Sequence, residues 1–154
     1  MTHLRIVAGD FEDAQVIALL ARHFAAMRST APEESCHVMP LDAMRAADLD
    51  FFAAWKGETL AGVGALKRLD ATHGEIKSMH TAAAFRGQGV GQAMLNHLIA
   101  HARALGLQRL SLETGASDFF VPARAMYARD GFQPCEPFGD YKPDPNSAFM
   151  TRAI

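Results

Sequence analysis

The sequence has little of several features that would define a class of protein. Of its 154 residues only two are cysteines, Cys36 and Cys135, too few for the disulfide framework of a small secreted domain. Basic residues are not in excess, because 15 Lys and Arg stand against 17 Asp and Glu, and this balance argues against a nucleic-acid partner. No apolar run approaches the roughly 18 residues that a membrane span requires. The beginning, Met1 to Arg5, lacks the apolar segment of a signal peptide, so we expect a cytoplasmic protein without a membrane partner.

What is present suits a globular domain. Hydrophobic residues make up 49% of the chain, and a chain of this length can bury roughly 70% of the surface that it exposes when unfolded. We found no internal repeat and no linker that would divide the sequence. We therefore predict one domain over residues 1–154, with a core that needs neither disulfides nor a structural metal.

The first half of the chain predicts a strand, a helix and then a meander of strands. Leu4 and Ile6 alternate with polar residues, and a helix to about Met27 should follow, with Asp10 as its N-cap and Asp13 in its first turn. Its apolar positions at helical spacing are Ala14, Ile17, Ala21 and Phe24. A short helix is expected over 41–47, followed by strands over 49–55, 59–69 and 75–81.

The second half alternates helices and strands. The segment 88–105 predicts the clearest helix, with Val90, Met94, Leu98, Ala102 and Leu105 on one face and Gly106 as its left-handed C-cap. A strand over 109–114, a helix over 118–129 and two closing strands in the tail should follow. A strand, a long helix and a strand in succession indicate a parallel crossover within an otherwise antiparallel sheet.

The segment Arg86-Gly87-Gln88-Gly89-Val90-Gly91 separates a predicted strand from the best predicted helix. Three alternate glycines leave several backbone N–H groups open at a helix N-terminus, which favours a phosphate or pyrophosphate, and Arg86 adds positive charge. On its own such a turn could equally be a plain connection. A Walker A loop is excluded, since Gln92 and Ala93 follow Gly91 in place of Lys and Ser or Thr. A dinucleotide fingerprint is also a poor match, because the loop lies past the middle of the chain.

This loop, followed downstream by Met126-Tyr127-Ala128-Arg129-Asp130-Gly131-Phe132, resembles the GNAT superfamily of N-acetyltransferases. The resemblance covers essentially the whole chain and is closest to a bacterial branch that is largely uncharacterised. It implies an α/β fold with a mixed, mostly antiparallel sheet, a central parallel pair of strands that splay apart, and flanking helices. It also implies an enzyme that uses acetyl-CoA as co-substrate.

The resemblance assigns the donor site to particular positions. In the family the glycine loop holds the pyrophosphate of acetyl-CoA through backbone N–H groups, and a strand end pairs with the pantetheine arm through its backbone. The pyrophosphate positions here are Arg86, Gly87, Gln88, Gly89, Val90, Gly91 and Gln92, and the strand-end positions are Met79, His80 and Thr81.

The catalytic groups are assigned in the same way. Tyr127 matches the tyrosine that protonates the departing thiolate, although a tyrosine packed at a helix end would look the same. Glu75 matches the strand glutamate that serves as base in one branch, and we expect it to share a strand face with Lys77, Met79 and Thr81. A carboxylate merely paired with Lys77 is the alternative, and Glu113 and His80 are the other candidate bases.

Two positions depart from the family pattern. An asparagine that contacts the cofactor in many relatives is replaced by Phe120, so that its hydrogen bond is either absent or supplied by Ser117. Ala83 replaces a proline often found three residues before the loop arginine. We expect the second change to be harmless.

The acceptor site is the least defined part of the sequence. The loop over 27–37 would cover it, with Arg28 able to hold a carboxylate and Glu33 or Glu34 an ammonium, although an exposed loop explains the same residues. Glu113 is a further candidate for acceptor binding, and the tail over 138–147 should form the opposite wall. No metal is expected, because His97 and His101 lack both an accompanying Glu and a third ligand.

The leading hypothesis is therefore an acetyl-CoA-dependent N-acetyltransferase that moves an acetyl group to the amine of a small molecule by direct transfer in a ternary complex. Two alternatives remain: a non-catalytic acyl-CoA-binding regulatory module, and a protein or aminoacyl-tRNA acetyltransferase. The weak acidity of the chain makes tRNA the less attractive acceptor. The sequence leaves a homodimer open.

Overall fold

A computed structural model describes residues 3–32, 37–46 and 48–154, without the side chain of Ala46. Its elements, in chain order, are β1 (Leu4–Ala8), α1 (Ala14–Arg28), α2 (Leu41–Ala46), β2 (Leu49–Lys56), β3 (Thr59–Arg68), β4 (His73–Thr81), α3 (Val90–Ala104), β5 (Arg109–Gly115), α4 (Val121–Arg129), β6 (Gln133–Pro134) and β7 (Ser147–Ala153). Short 3-10 turns at Ala83–Phe85 and Asp118–Phe120 precede α3 and α4.

The strands form one mixed sheet in the order β1-β2-β3-β4-β5-β7-β6. All neighbouring pairs are antiparallel except β4 and β5, which are parallel and joined by α3. The prediction of a mostly antiparallel sheet with one parallel crossover is confirmed. The sheet places β4 and β5 at its centre, where both faces are covered.

Two apolar clusters cover the two faces of the sheet. On one face, α1 and α2 pack Val16, Leu19, Leu20 and Met44 against β2 and β3. On the other face, α3 buries a stripe that includes Met94, Leu98 and Ala102. At the end of α3, Gly106 has a φ of +84°, as the predicted left-handed C-cap requires. Leu105, predicted on the same buried stripe, is instead 37% exposed because the helix ends there.

The first helix begins later than the sequence predicted. Asp13 is its N-cap and accepts hydrogen bonds from the backbone N–H groups of Gln15 and Val16, whereas Asp10 closes a preceding turn by accepting from Glu12 N–H. The predicted apolar face was also wrong, since Ala14 and Ala21 are exposed. Burial of Val16, Leu19, Leu20 and His23 turns the more apolar face of the helix onto the sheet.

Candidate active site

The central strands separate partway along their length. β4 and β5 pair only from His73 opposite Arg109 to Ile76 opposite Leu112. Beyond that point, which we call the fork, each strand continues without pairing to the other. A cleft of about 860 Å³ opens between them and extends from the fork to the glycine loop. The separation of β4 and β5 agrees with the splayed pair of strands that the resemblance to the GNAT superfamily implied.

The glycine loop forms the N-terminus of α3 at one end of the cleft. Gly87 and Gly89 have φ values of +75° and +83°, a conformation that residues with a side chain rarely adopt. A Cβ at either position would meet no atom within 4 Å, so the space above the loop is open. The helical bond from Ala93 N–H to the Gly89 carbonyl leaves the N–H groups of the first turn without helical partners. Together with the helix dipole, these donors suit a bound phosphate.

Most of the predicted loop residues line the cleft. Gln88 is the exception: its side-chain amide donates to the Ala84 carbonyl, and its Oε1 accepts from Lys56 Nζ at 3.2 Å. Val90 is 2% exposed, so its contribution is limited largely to its backbone. The lining members of the predicted set are Arg86, Gly87, Gly89, Val90, Gly91 and Gln92 in the loop and Met79, His80 and Thr81 at the end of β4.

The end of β4 contains one extra residue. Lys77 pairs with Ala65 and His80 with Val63, so three steps on β4 oppose two on β3, and Ser78 takes a φ of +57°. The expectation that Glu75, Lys77, Met79 and Thr81 share a face was therefore wrong. The bulge leaves Glu75 and Lys77 on the face covered by α1 and α2, and Met79 and Thr81 on the face covered by α3. Met79 accordingly packs against the α3 cluster, and Thr81 Oγ1 lies close to Gly91.

Tyr127 lies on α4 and lines the cleft. It is 5% exposed, its ring contacts Phe132 with 5.7 Å between centroids, and burial raises the pKa of its hydroxyl. Tyr127 thus packs at a helix end and also faces the cleft, so the two interpretations of this residue are compatible. A hydroxyl with a raised pKa keeps its proton at neutral pH, as a proton donor must.

Glu75 lies at the fork, 3% exposed and within a buried hydrogen-bonded group. Its Oε2 accepts from Lys77 Nζ at 3.2 Å and from the hydroxyl of Tyr141 at 2.6 Å. Lys77 Nζ also donates to the Tyr141 hydroxyl oxygen at 3.1 Å. The pairing of Glu75 with Lys77, considered as an alternative from sequence, is therefore present. The partner that sequence analysis missed is Tyr141, which the loop between β6 and β7 carries across to β4.

Glu113 is the first residue of β5 beyond the fork, as Lys77 is on β4. Its Oε2 accepts a hydrogen bond from Ser147 Oγ at 2.8 Å. Burial raises the pKa of its carboxyl group, an effect that Ser147, His37 and Lys77 partly offset. The fork therefore brings two acidic groups and one cation to a single wall of the cleft.

A second residue that the sequence did not point to is His23 on α1. Its Nδ1 lies 3.1 Å from Nδ1 of His80, and both imidazoles line the cleft. Burial, reinforced by the nearby His80, lowers the pKa of His23 to about 4. Burial, with Arg86 and Arg22 nearby, lowers the pKa of His80 to about 4 as well. His80, a candidate base from sequence, is thus held uncharged against a second histidine.

Of the other residues that the sequence singled out, the structure describes Arg28, Phe120 and Ser117. Arg28 does not line the described part of the cleft, and its guanidinium lies over the ring of Phe24. Glu33 and Glu34 lie outside the described residues. Phe120, at the position of the family asparagine, lines the cleft and lies against Gly115, so close that a Cβ on Gly115 would overlap its ring. Ser117 lines the cleft beside it.

The described part of the chain has neither a group of metal ligands nor a membrane-spanning helix. Within residues 3–32, 37–46 and 48–154 there is no group of three or more His, Cys, Asp or Glu side chains that could hold a metal ion. None of the helices in these ranges is long and apolar enough to cross a membrane.

Comparison with known proteins shows which family has this sequence and fold. The model of the acetyltransferase (GNAT) family matches residues 15–132. An uncharacterized N-acetyltransferase of Bacillus subtilis strain 168, YsnE, is 47% identical over 152 residues, which cover 99% of both chains. A crystal structure described as a putative acyl-CoA N-acyltransferase from Klebsiella pneumoniae superposes with a TM-score of 0.76 at 30% identity, covering 99% of this chain and 97% of that one.

A further solved structure, a GNAT family acetyltransferase from Elizabethkingia anophelis with acetyl-CoA bound, has the same fold. It superposes with a TM-score of 0.72 at 17% identity, and the match covers 98% of each chain. Since the family model spans most of the sequence and the relatives align over nearly its whole length, the chain belongs to the acetyltransferase (GNAT) family and is an acyltransferase enzyme.

Proposed function

We propose that the chain transfers the acetyl group of acetyl-CoA to the amine of a small molecule, directly and within a ternary complex. The observation that carries this proposal is that one cleft holds an anion-binding helix N-terminus at its loop end and a cluster of ionisable side chains at its fork end. Donor and acceptor could therefore meet in a single cavity. We further propose that residues 1–154 form one domain and that the enzyme is cytoplasmic.

The loop end suits acetyl-CoA. Backbone N–H groups from Gly87 to Gln92 would hold the pyrophosphate in the open space above Gly87 and Gly89, with Arg86 adding charge at the rim. Beyond the fork, the edge of β4 that faces β5 has no strand partner among the described residues, so the backbone of Met79, His80 and Thr81 could pair with the pantetheine amides.

The fork end suits an amine acceptor. The carboxyl group of Glu113 would bind the ammonium of the acceptor, and Glu75 would serve as the base that removes its proton. Tyr127 would donate a proton to the sulfur as the carbon–sulfur bond breaks. Neither cysteine lies in the glycine loop or in the segment 126–132, which favours direct transfer over an acyl-cysteine intermediate. Arg28 and Glu33 remain predictions for acceptor binding.

The size of the cleft favours a small acceptor. About 860 Å³ lies within the range of roughly 300 to 1,000 Å³ that small-molecule sites occupy, and part of it would be filled by the pantetheine arm. No group of metal ligands is found among the described residues, and the proposed chemistry does not require one.

Thermal unfolding with and without acetyl-CoA tests the donor site. A ligand at a hundredfold excess over Kd adds about 2.7 kcal/mol to the free energy of unfolding, so Tm should rise by several degrees. Gly89→Asp should abolish this rise, because its carboxylate would repel the pyrophosphate. The matched control is Gly106→Asp at the other end of α3, where φ is +84° and a Cβ also meets nothing within 4 Å. This control carries the same backbone strain and should keep the rise.

Release of free thiol from acetyl-CoA over a panel of primary amines then tests turnover. Amine-dependent thiol release by the wild-type enzyme, lost in Gly89→Asp, is the expected result. Binding of acetyl-CoA without thiol release for any amine would overturn the proposal and favour a regulatory acyl-CoA-binding module. If a folded sample shows no rise in Tm, the donor is not acetyl-CoA.

A further inference from the structure

Of the three hydrogen-bonded residues Glu75, Lys77 and Tyr141 at the fork, Tyr141 comes from outside the central strands. It lies in the loop between β6 and β7, where its ring contacts Phe138, Phe149 and His37. These contacts fix the ring, and its hydroxyl reaches Glu75, 66 residues earlier in the chain. Tyr141 also lines the cleft. The loop therefore delivers a hydroxyl group to the fork in a defined position.

The hydrogen bonds of this hydroxyl give it a donor and an acceptor role. It donates to Glu75 Oε2 at 2.6 Å and accepts from Lys77 Nζ at 3.1 Å. A phenolic oxygen has one proton and can accept more than one hydrogen bond, so acceptor capacity remains for an N–H group in the cleft. Along the short hydrogen bond to Glu75, the phenolic proton can transfer to the carboxylate.

Burial and the charged groups at the fork keep the Tyr141 hydroxyl protonated. Lys77 compensates the charge of Glu75, which is almost fully buried. Burial, with the charges of Glu75 and Glu113 as further causes, raises the pKa of the Tyr141 hydroxyl, so it stays protonated at neutral pH. Among the described residues, His37 is a further titratable group against the tyrosine, and its ring contacts that of Tyr141 edge-on with 4.9 Å between centroids.

We propose that Tyr141 is a catalytic residue that relays a proton from the acceptor ammonium to Glu75. This inference rests on the proposed function and deepens it, because it explains how a carboxylate only 3% exposed could act on a bound amine. The ammonium would donate its hydrogen bond to the Tyr141 oxygen while that hydroxyl donates to Glu75.

The relay consists of two proton transfers, which precede attack by the amine. An N–H bond of the ammonium breaks and its electron pair stays on nitrogen, an O–H bond forms at Tyr141, and the original phenolic proton forms an O–H bond with Glu75 Oε2. The neutral amine then attacks the thioester carbonyl, and the carbon–sulfur bond breaks with its electron pair on sulfur. Tyr127 gives its proton to sulfur and takes the surplus proton of the nitrogen. Glu75 afterwards releases one proton to solvent.

The test is the pH dependence of kcat/KM for Tyr141→Phe. The probes are acetyl-CoA and primary amines from ethanolamine to tryptamine, of which the best wild-type acceptor is used. At pH 7 the variant should be slower by roughly 10²-fold. The difference should narrow as pH rises toward the pKa of the amine, because neutral amine from solution no longer needs the relay. Rates within twofold of wild type across this range would overturn the relay.

Two further variants separate the relay from packing and from folding. Phe138→Leu removes a neighbouring ring of the same loop but no hydroxyl, and it should keep the wild-type pH profile. A loss equal to that of Tyr141→Phe would show that loop packing is responsible and would overturn the relay. Glu75→Gln should reproduce the profile of Tyr141→Phe, and combining the two should add little, as expected for residues that act as one unit.

The outcomes also distinguish this inference from the proposed function. If the wild-type enzyme releases thiol and Tyr141→Phe behaves identically, the relay is wrong while acetyl transfer stands. If the wild-type enzyme binds acetyl-CoA and acetylates no amine, the proposed function fails and the relay falls with it. If Tyr141→Phe does not fold, an unchanged pH profile in Glu75→Gln overturns the relay.

Discussion

Nδ1 of His23 and Nδ1 of His80 lie 3.1 Å apart, although 57 residues separate them in the chain. Two uncharged imidazoles satisfy this distance, because one Nδ1 carries a hydrogen and donates it to the other. Protonation of both rings would replace that bond with repulsion inside a largely buried site. The pair thus links the packing of α1 on the sheet to pH.

The histidine pair predicts a loss of stability in mild acid. The pKa of each ring is lowered to about 4, below the roughly 6.5 of an unfolded histidine, so the unfolded chain binds more protons between these values. The contribution of the pair to the free energy of unfolding should be fully present above pH 6.5 and be lost as pH falls to 4, by on the order of 3 kcal/mol for His23 and less for the more exposed His80. Urea unfolding at pH 7.5 and pH 4.5 measures the decrease.

His23→Gln supplies the comparison that assigns this decrease to the pair. It should make the decrease smaller, whereas His3→Gln, at an exposed position near the N-terminus, should leave it as in the wild type. Carboxyl groups elsewhere contribute equally to all three proteins. An equal decrease in the wild type and in His23→Gln would show that the pair does not govern acid stability.

Tyr127→Phe tests the proposal that Tyr127 donates a proton to the sulfur. The ring and its contact with Phe132 are kept and only the hydroxyl is lost, so the acetyl-CoA-induced rise in Tm should persist. Because the departing thiolate would leave without its proton, kcat should fall by roughly 10² or more. The measurement is thiol release at saturating donor and acceptor. An unchanged kcat, with no burst phase to indicate slow product release, would remove Tyr127 from this role.

Two leucines on α3 test where its buried face ends. Leu98 is fully buried, so Leu98→Ala should lower the free energy of unfolding by about 2 to 5 kcal/mol. Leu105, seven residues later, is 37% exposed at the end of the helix. Leu105→Ala should therefore change the free energy of unfolding by no more than about 0.5 kcal/mol. Urea unfolding of both variants measures the contrast. Equal losses would mean that the face extends through Leu105.

Local patterns predicted the glycine-loop end of the cleft. The glycine loop is encoded within a few residues, since only glycine readily takes the φ values of positions 87 and 89 and the helix follows directly. The parallel pairing of β4 and β5 followed from the strand, helix and strand succession, and their separation was implied by the resemblance to the family. Both features depend on short stretches of sequence.

The fork end of the cleft depended on contacts between distant segments. Tyr141 gives no local signal that it reaches Glu75, and His23 could equally have faced solvent on a helix whose buried face was predicted wrongly. Asp10 and Asp13 are both good N-caps, and burial of Leu19 and Leu20 on the sheet decided between them. The choice in each case was made by tertiary packing rather than by local propensity.

Ser78 shifts the alternation of β4 by one position. It is the additional residue of the bulge, so Lys77 and His80, three residues apart, face the same side of the sheet. In a regular strand of this sequence His80 would turn to the α3 side, away from His23, because successive side chains point to opposite faces. A single serine therefore sets the phase in which the last residues of β4 present their side chains, and with it the contact between the two histidines.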